Sequence, residues 1–296
     1  MKENVTDDGR LSGVKFMKRA LQALLLGLFL MCIPGSVAKA ENGVNIANNG
    51  NGTVTVKYDN ENQKKIAVTV KKTGQDSQYN YFVSDTDVNL SVPLTAGNGT
   101  YQVSVLKNIK DSQYSPLMST EVKLELKDSK SAYLTSNDMI RWSKKNAAIK
   151  KANKLTKKYK SQENKIKVLY KYLVKNYDYD YAKFSKNTSG NLAYYTPDIS
   201  KTYKSKKGIC YDMSALTASM MRSVGVHTKM VTGYPKSKYY NGSQYHAWNQ
   251  VYSKKSKKWF NMDVTCDMCL YDQGVKFKKL SMKKKASEYS NIKYVW

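Results

Sequence analysis

The stretch that decides the fold is KGICYDMSALTASMMRSVG, residues 207–225. Within it, apolar side chains recur every three or four positions, which predicts one buried face of a helix. These side chains are Met213, Leu216, Met220 and Val224. Gly225 stands where a glycine commonly ends a helix, and Cys210 falls in the first turn. Free backbone N–H groups and the positive end of the helix dipole favour a thiolate at that position. The stretch therefore predicts a nucleophilic cysteine at a helix start.

Two further segments follow, YHAWN at 245–249 and WFNMDVT at 259–265. The first begins a predicted strand, on which His246 and the indole two residues later share one face. A short basic turn then leads into a return strand, Lys258 to Val264, that brings Asp263 back towards the start of its partner. Counting back from the turn places Asp263 near the level of His246, within side-chain reach. The segments thus predict a base and a carboxylate that orients it.

The order of these motifs resembles the transglutaminase-like superfamily over roughly residues 177–267: Gly-x-Cys before a helix, His-Ala-Trp in a strand and Asp-x-Thr after the hairpin. Trp259, Asp263 and Thr265 match the ending of the family pattern. The resemblance implies a papain-like core in which helices pack on a small antiparallel sheet. It also implies that Cys210 attacks a glutamine carboxamide or a peptide carbonyl through a thioester, with His246 as base and Asp263 as its orienting group.

What attacks the thioester stays open at this stage. A lysine amine gives an acyltransferase, water gives a cysteine peptidase or amidase, and a non-enzymatic cell-surface binding module is the third alternative. The backbone N–H of Cys210 is a natural oxyanion donor. The second donor is undetermined, with Tyr203 and Tyr211 as candidates. We expect no cofactor and no metal.

Cys266 stands where relatives often have an aromatic residue, and Cys269 follows it. Without the leader described below, the chain has three cysteines, and an odd count in an exported protein suggests one pair and one free thiol. We expect a Cys266–Cys269 disulfide that leaves Cys210 free, with unpaired thiols as the alternative. A zinc site is not expected because the complementary ligands are missing. His227, which lies in no comparable context, is expected to be structural.

The amino terminus has the pattern of a signal peptide. Lys15, Lys18 and Arg19 precede an apolar stretch at 20–33, and small residues lead to a cleavage site near Ala40. The apolar stretch is shorter than the roughly 20 residues of a membrane span. We therefore expect cleavage of residues 1–40, a secreted or cell-surface protein, and no membrane span.

The charge is strongly positive and comes almost wholly from lysine. The chain has 50 Lys and Arg against 23 Asp and Glu; without residues 1–40, which carry 6 and 3 of these, 44 remain against 20. Such a field attracts polyanions. We expect a protein or peptide substrate and an anionic cell-wall polymer as partners, and no nucleic acid, since no nucleic-acid-binding motif is present. The alternative is a lysine-rich surface that is only solvated.

Residues 41–130 carry six short runs in which valines and leucines alternate with polar residues. The runs are Gly52–Tyr58, Ile66–Lys71, Tyr79–Val83, Val88–Leu94, Thr100–Leu106 and Glu121–Leu126. They predict an antiparallel β-sandwich that resembles immunoglobulin or fibronectin modules. With no histidine or cysteine, this domain is expected to be a spacer or a binding module.

Residues 137–296 form the predicted catalytic domain, which makes the whole chain α+β. Asn137 or Asp138 is expected to cap a helix towards Leu155, and Ser161 to cap a second one. On this second helix Ile166, Leu169, Leu173 and Tyr177 fall on one face. The tyrosine-rich stretch 177–203 is expected to be a long loop beside the substrate cleft.

Overall fold

The computed structural model describes residues 43–187 and 196–296. The signal peptide predicted at 1–40 lies outside the described residues. In the described part, antiparallel sheets come first. They are followed by helices that pack on a further antiparallel sheet.

Residues 45–124 form two antiparallel sheets, with strand orders β1-β2-β5 and β4-β3-β6-β7. The strands are β1 Asn45–Asn48, β2 Thr53–Asp59, β3 Ile66–Lys72, β4 Gln78–Val83, β5 Asp87–Pro93, β6 Gly99–Lys110 and β7 Gln113–Leu124. All six predicted runs are strands, which confirms the alternation signal. The sequence missed β1 and the length of the β6–β7 hairpin, which turns at Asp111 with a φ of 51°. The polar residues of this hairpin hide it from a pattern search.

Buried side chains from both sheets belong to one hydrophobic cluster. Val54 and Leu90 come from the first sheet, and Val68 and Val105 from the second. The same cluster continues into the helices of the following segment, where it includes Leu169. The two parts of the chain therefore share a continuous apolar interior.

The second part contains six helices and six further strands within the described residues. The helices are α1 Ala147–Thr156, α2 Gln162–Asn176, α3 Tyr181–Asn187, α4 Ile199–Ser205, α5 Cys210–Ser223 and α6 Val264–Asp272. The strands are β8 Asp178–Tyr179, β9 Lys207–Gly208, β10 Thr228–Gly233, β11 His246–Ser253, β12 Lys258–Met262 and β13 Ile292–Val295. Short 3₁₀ turns lie at Ser129–Leu134, Phe277–Lys279 and Ala286–Tyr289.

The helix signals of the sequence were partly right. Ser161 caps α2 by accepting from the N–H of Asn164, and α5 ends at a glycine with positive φ, as predicted. The cap proposed at Asn137 or Asp138 is wrong, because α1 begins after Asn146. Asp138 instead accepts hydrogen bonds from the Ser91 N–H and from Arg141. Its carboxylate therefore links this segment to strand β5.

The loop predicted at 177–203 is also wrong for the described residues. Asp178 and Tyr179 pair in parallel with Lys207 and Gly208, and α3 and α4 occupy much of the remainder. Tyrosines mask these short helices because they fit a helix, a strand or a loop surface equally well.

The sheet that positions the site has the order β12-β11-β10-β13 and is antiparallel throughout. Helix α5 packs against β10 and β11, which places the predicted nucleophile helix across this sheet. In the described part of the chain, no helix combines the length and the apolar character needed to cross a membrane.

The last strand joins the two parts of the molecule. The Thr95 hydroxyl donates to the carbonyl of Val295 at 2.7 Å, and Tyr79 packs edge-on against Tyr294 and Trp296. Trp296 in turn meets the ring of Tyr211 at 6.3 Å between centroids. A chain of aromatic contacts thus runs from the first domain to the start of α5.

Arg222, near the end of α5, is buried and binds only backbone carbonyls. Its guanidinium donates to the carbonyl oxygens of Thr228, Thr135 and Trp296 at 2.8, 2.8 and 2.9 Å. Burial lowers its pKa to about 9. One planar cation therefore fixes the nucleophile helix to the central sheet, the interdomain connector and the C-terminal strand.

We expect Arg222→Lys to destabilise the protein by about 3 kcal/mol, because an ammonium cannot reach all three carbonyls and leaves buried acceptors unpaired. Urea unfolding measures the change. The matched control is Arg141→Lys, whose exposed side chain pairs with Asp138 and should cost below about 1 kcal/mol. Equal losses in the two variants would contradict the role given to Arg222.

Candidate active site

Cys210 is the first residue of α5, so its backbone N–H has no partner within the helix. The turn before it is fixed by Asp212, whose carboxylate accepts from the N–H of Ile209 at 3.1 Å. Asp212 is buried, and Lys183 of α3 donates to both of its oxygens at 2.9 and 2.8 Å. An ion pair between two helices therefore sets the entry into the nucleophile turn.

Gly208 leaves room for this arrangement. A Cβ at this position would lie 2.9 Å from the Cβ of Asp212 and 3.1 Å from a methyl carbon of Thr202. Both contacts are tighter than normal packing allows, so a larger residue would push Asp212 out of its capping position. The first position of the Gly-x-Cys motif thus requires glycine for steric reasons.

His246 begins β11 and is buried. Its Nε2 lies 2.9 Å from Oδ2 of Asp263, and the neighbouring side chain of Cys210 helps to raise its pKa. Since Nε2 faces the carboxylate, Nδ1 is left as the ring nitrogen for the thiol. The structure brings together the three side chains that the sequence singled out.

Asp263 is completely buried and caps helix α6. Its Oδ1 accepts from the N–H of Cys266 at 2.9 Å. Its Oδ2 accepts from the hydroxyls of Tyr289 and Tyr240 at 2.8 and 3.1 Å, in addition to His246. Four donors therefore compensate the buried carboxylate.

In the hairpin, Asp263 lies two residues away from the expected position opposite His246. Strand β12 ends at Met262, which pairs with Asn249, so the next residue falls level with Trp248 and diagonal to His246. The diagonal still brings the two side chains together because His246 and Trp248 share a face. The expected strand end at Val264 is wrong, because Val264 already belongs to α6.

His246 and Asp263 each stabilise the charged form of the other. Burial of the imidazole disfavours its charged form, but the Asp263 carboxylate and Cys210 outweigh this and raise the pKa of His246 to about 10. Burial alone would raise the pKa of Asp263; the charge and hydrogen bond of His246, with the Cys266 N–H and Tyr289, lower it instead. We therefore describe the pair as imidazolium and carboxylate at neutral pH.

Two aromatic side chains hold the imidazole in its plane. Tyr240 lies tilted over the ring at 4.5 Å between centroids, and its hydroxyl is 3.1 Å from Nε2. Trp248 is nearly parallel to the ring at 6.3 Å. Burial, followed by the charge of Asp263, raises the pKa of Tyr240 and of Tyr289, so both hydroxyls remain protonated donors.

Residues 149–264 match the family model of the transglutaminase-like superfamily. This segment belongs to that superfamily. No protein with a curated description matches the sequence significantly. The transglutaminase-like segment contains the whole Cys210, His246 and Asp263 arrangement.

Solved structures show remote likenesses. A candidate cysteine protease from Cytophaga hutchinsonii shares 15% identity over 77% of this chain and 69% of its own, with a TM-score of 0.39. A structure described as a TGase shares 20% identity over 48% of this chain and 33% of its own, with a TM-score of 0.32. Red sea bream transglutaminase shares 8% identity over 73% of this chain and 48% of its own, with a TM-score of 0.25. The chain thus spans less than half the length of the last two.

The expected Cys266–Cys269 disulfide is wrong, because both thiols are free. Helix α6 starts directly after Asp263, and its backbone hydrogen bonds hold the two cysteines in successive turns. Burial raises the pKa of Cys266, and burial followed by the charge of Asp263 raises the pKa of Cys269 to about 11. Neither is activated as a nucleophile.

Sequence reasoning missed the residues that surround Asp263 and the start of α5. Tyr240 and Tyr289 lie 23 and 26 residues from Asp263 and carry no local signal. Asp212 was detectable, because an acidic residue in the first turn of a helix can accept from the backbone N–H of the cap residue.

The structure also locates the two tyrosines considered as oxyanion donors and the histidine expected to be structural. Tyr203 lies under the ammonium of Lys206 at 3.8 Å, and Tyr211 packs on Trp296. His227 is buried against Tyr252 and takes no part in the triad contacts described above.

The ion pair predicts a pH-dependent stability. Because the folded pKa of His246 is raised to about 10, its contribution is complete below the unfolded value of about 6.5 and is lost as pH rises through about 10. The lowered pKa of Asp263 gives a contribution that is complete above about 3.8 and is lost in acid. We expect the difference in unfolding free energy between wild type and His246→Gln to be larger at about pH 6 than at about pH 10.5.

Urea unfolding at both pH values measures this difference. The control is His227→Gln: burial lowers the pKa of His227, so wild type should lose stability relative to this variant in acid, the opposite trend. A His246 difference that does not change with pH would refute the ion pair.

The three free cysteines should react with iodoacetamide at different rates. We expect Cys210, half-exposed and adjacent to His246, to be alkylated first at neutral pH, because the raised pKa values of Cys266 and Cys269 keep their thiols protonated. Mass spectrometry of time points identifies the order. His246→Gln should slow only the first site; faster labelling of either other cysteine would contradict this assignment.

Proposed function

We propose that the protein is a secreted cysteine acyltransferase in which Cys210, His246 and Asp263 form a catalytic triad. One observation carries the proposal: the imidazole of His246 is hydrogen-bonded to the Asp263 carboxylate and adjoins the Cys210 side chain, which helps to raise its pKa. This is the arrangement of a nucleophile, its base and the group that orients the base.

In the first half-reaction the Cys210 thiolate attacks the carbonyl carbon of a glutamine carboxamide. The new S–C bond forms as the carbonyl electron pair moves to oxygen. When the tetrahedral species collapses, the C–N bond breaks and ammonia leaves with a proton from the His246 imidazolium. The product is a thioester on Cys210.

In the second half-reaction an acceptor amine gives a proton to His246 and attacks the thioester. The new C–N bond forms, the C–S bond breaks and the Cys210 thiolate is restored. Water in place of the amine yields a carboxylate, which is the peptidase or amidase alternative. Asp263 holds the imidazole throughout, and its hydroxyl donors keep the carboxylate aligned.

The oxyanion of the tetrahedral species needs donors near the carbonyl oxygen. The N–H of Cys210 is suited to this because it opens α5 and has no helical partner. The positive end of the helix dipole adds to the stabilisation. The second donor stays open, with Tyr211 as the candidate that adjoins the nucleophile.

An aromatic rim around the site supports a polypeptide substrate. Of the described residues, five large hydrophobic side chains are exposed, and four of them flank the triad. Tyr181 and Phe184 lie on α3, which Lys183 ties to the nucleophile turn, while Tyr239 and Tyr245 lie in the loop before His246. We infer that they contact apolar side chains next to the reactive glutamine.

The remaining assignments belong to the same proposal. We propose an immunoglobulin-like sandwich at 41–130 that acts as a spacer or binding module, a catalytic domain at 137–296, and export with cleavage near Ala40. The shared apolar interior and the contacts of Tyr79 with Trp296 support a fixed placement of the two domains.

The deciding assay supplies a glutamine-containing peptide with and without a labelled primary amine. We expect ammonia release and amine incorporation with the wild type, and a loss of about 10⁴-fold or more in Cys210→Ala, because the nucleophile is absent. Hydrolysis without amine incorporation would replace the acyltransferase by the hydrolase. Neither reaction would favour the non-enzymatic binding module.

The matched control is Cys269→Ala, which removes a half-buried thiol on α6 that the proposed chemistry does not use. This variant should keep activity within about threefold of wild type. Equal losses in the two variants would indicate damage to the fold and contradict the role of Cys210.

A further inference from the structure

One helical hairpin is rich in positive charge. Residues 144–175, which span α1 and α2, contain twelve lysines and a single acidic residue, Glu163. The Glu163 carboxylate is turned towards the β11–β12 turn, where it accepts from the N–H of Lys255 at 3.0 Å and the hydroxyl of Ser253 at 3.4 Å. The hairpin therefore carries its charge without neutralisation from its own residues.

Three of these lysines line one depression. It has a volume of about 400 Å³ and lies between the end of α1 and the first turns of α2. Lys154, Lys157 and Lys165 line it, together with neutral side chains. Among residues 43–187 and 196–296, none of the three is in an ion pair, and the Lys165 ammonium contacts only the carbonyl of Val224, at 3.5 Å. The depression is thus a cationic recess without a carboxylate of its own.

Aromatic rings, and not carboxylates, support several ammonium groups near this hairpin. Lys151 and Lys206 both lie over the ring of Tyr172, at 5.2 and 5.7 Å from its centroid. Burial, followed by repulsion from Lys151, lowers the pKa of Lys206. Two cations that share one ring indicate a positive potential that the protein itself leaves uncompensated.

A row of lysines lies on the opposite flank of α2, turned away from the recess. Lys167, Lys171 and Lys175 follow one another at intervals of four residues and are all exposed. Four residues of α-helix advance by about 6 Å, so the ammonium groups form a regular line of charge. A single small anion would not need such a line, whereas a polymer with repeated charges would.

We propose that α1 and α2 form a binding surface for a linear, flexible phosphodiester polymer such as poly(glycerol phosphate), which places one phosphate in the recess, crosses α2 and places others along the row. Lysines recognise phosphates as point charges and impose little geometry, which suits a flexible backbone. Of the arginines in the described residues, Arg222 is buried and Arg141 lies outside the hairpin. The surface therefore lacks the planar donors commonly used to read nucleic-acid bases.

The test uses the full chain and fluorescently labelled poly(glycerol phosphate), with binding followed by anisotropy at several salt concentrations. We expect binding that weakens steeply with salt, as counterion release requires. The variant Lys154→Gln/Lys157→Gln/Lys165→Gln should lose about tenfold or more in affinity and show a shallower salt dependence. Its melting temperature, recorded alongside, should match the wild type because these side chains point into solvent or the recess.

The matched control is Lys276→Gln/Lys278→Gln/Lys279→Gln, which removes the same charge from an exposed turn elsewhere. It should change affinity by less than about threefold. Equal losses in both triple variants would reduce the effect to net charge and overturn the site, and so would stronger binding to single-stranded DNA of equal charge. Cys210→Ala should bind like wild type, so this proposal stands or falls separately from the catalytic one.

Discussion

The structure depends first on the buried carboxylate of Asp263. An ionised group without solvent is costly unless donors surround it, and here they come from four separate segments. His246 begins a strand, Tyr240 lies in the loop before it, Tyr289 closes a C-terminal turn, and the Cys266 N–H opens a helix. The carboxylate therefore holds the end of the sheet, the start of α6 and the C-terminal segment in one place, and the position of the imidazole follows from theirs.

The nucleophile helix is held by charge at both ends. At its start Asp212 fixes the turn around Cys210 and is itself bound by Lys183 from another helix. Near its end Arg222 binds three carbonyls from three segments. Because both anchors lie in the interior, the helix has little freedom to slide on the sheet. The distance between Cys210 and His246 is thus set by contacts that are mostly remote from either side chain.

The carboxylates paired in the interior and the lysines on the surface together give the protein a cationic exterior. Asp212, Asp263 and Asp267 are buried and engage Lys183, His246 and Lys284. These three carboxylates are thereby paired in the interior, while the α1–α2 hairpin presents its lysines to solvent. The internal pairs stabilise one arrangement of helices, and the same division of charge leaves a cationic surface outside.

The sequence by itself determined the elements whose signals are local. Alternating valines placed the strands of the first domain, the apolar spacing and Gly225 bounded α5, and Ser161 began α2. It also selected Cys210, His246 and Asp263, because each stands at a recognisable element boundary. Only the tertiary structure decided the rest. The donors Tyr240 and Tyr289 reach Asp263 across gaps of more than twenty residues. Asp138 accepts from Ser91 in place of capping a helix, and the thiols of Cys266 and Cys269 stay apart because Asp263 caps a helix that starts directly after it. Local propensity specifies segments, whereas the compensation of buried charge involves residues far apart in the chain, and no short-range pattern encodes it.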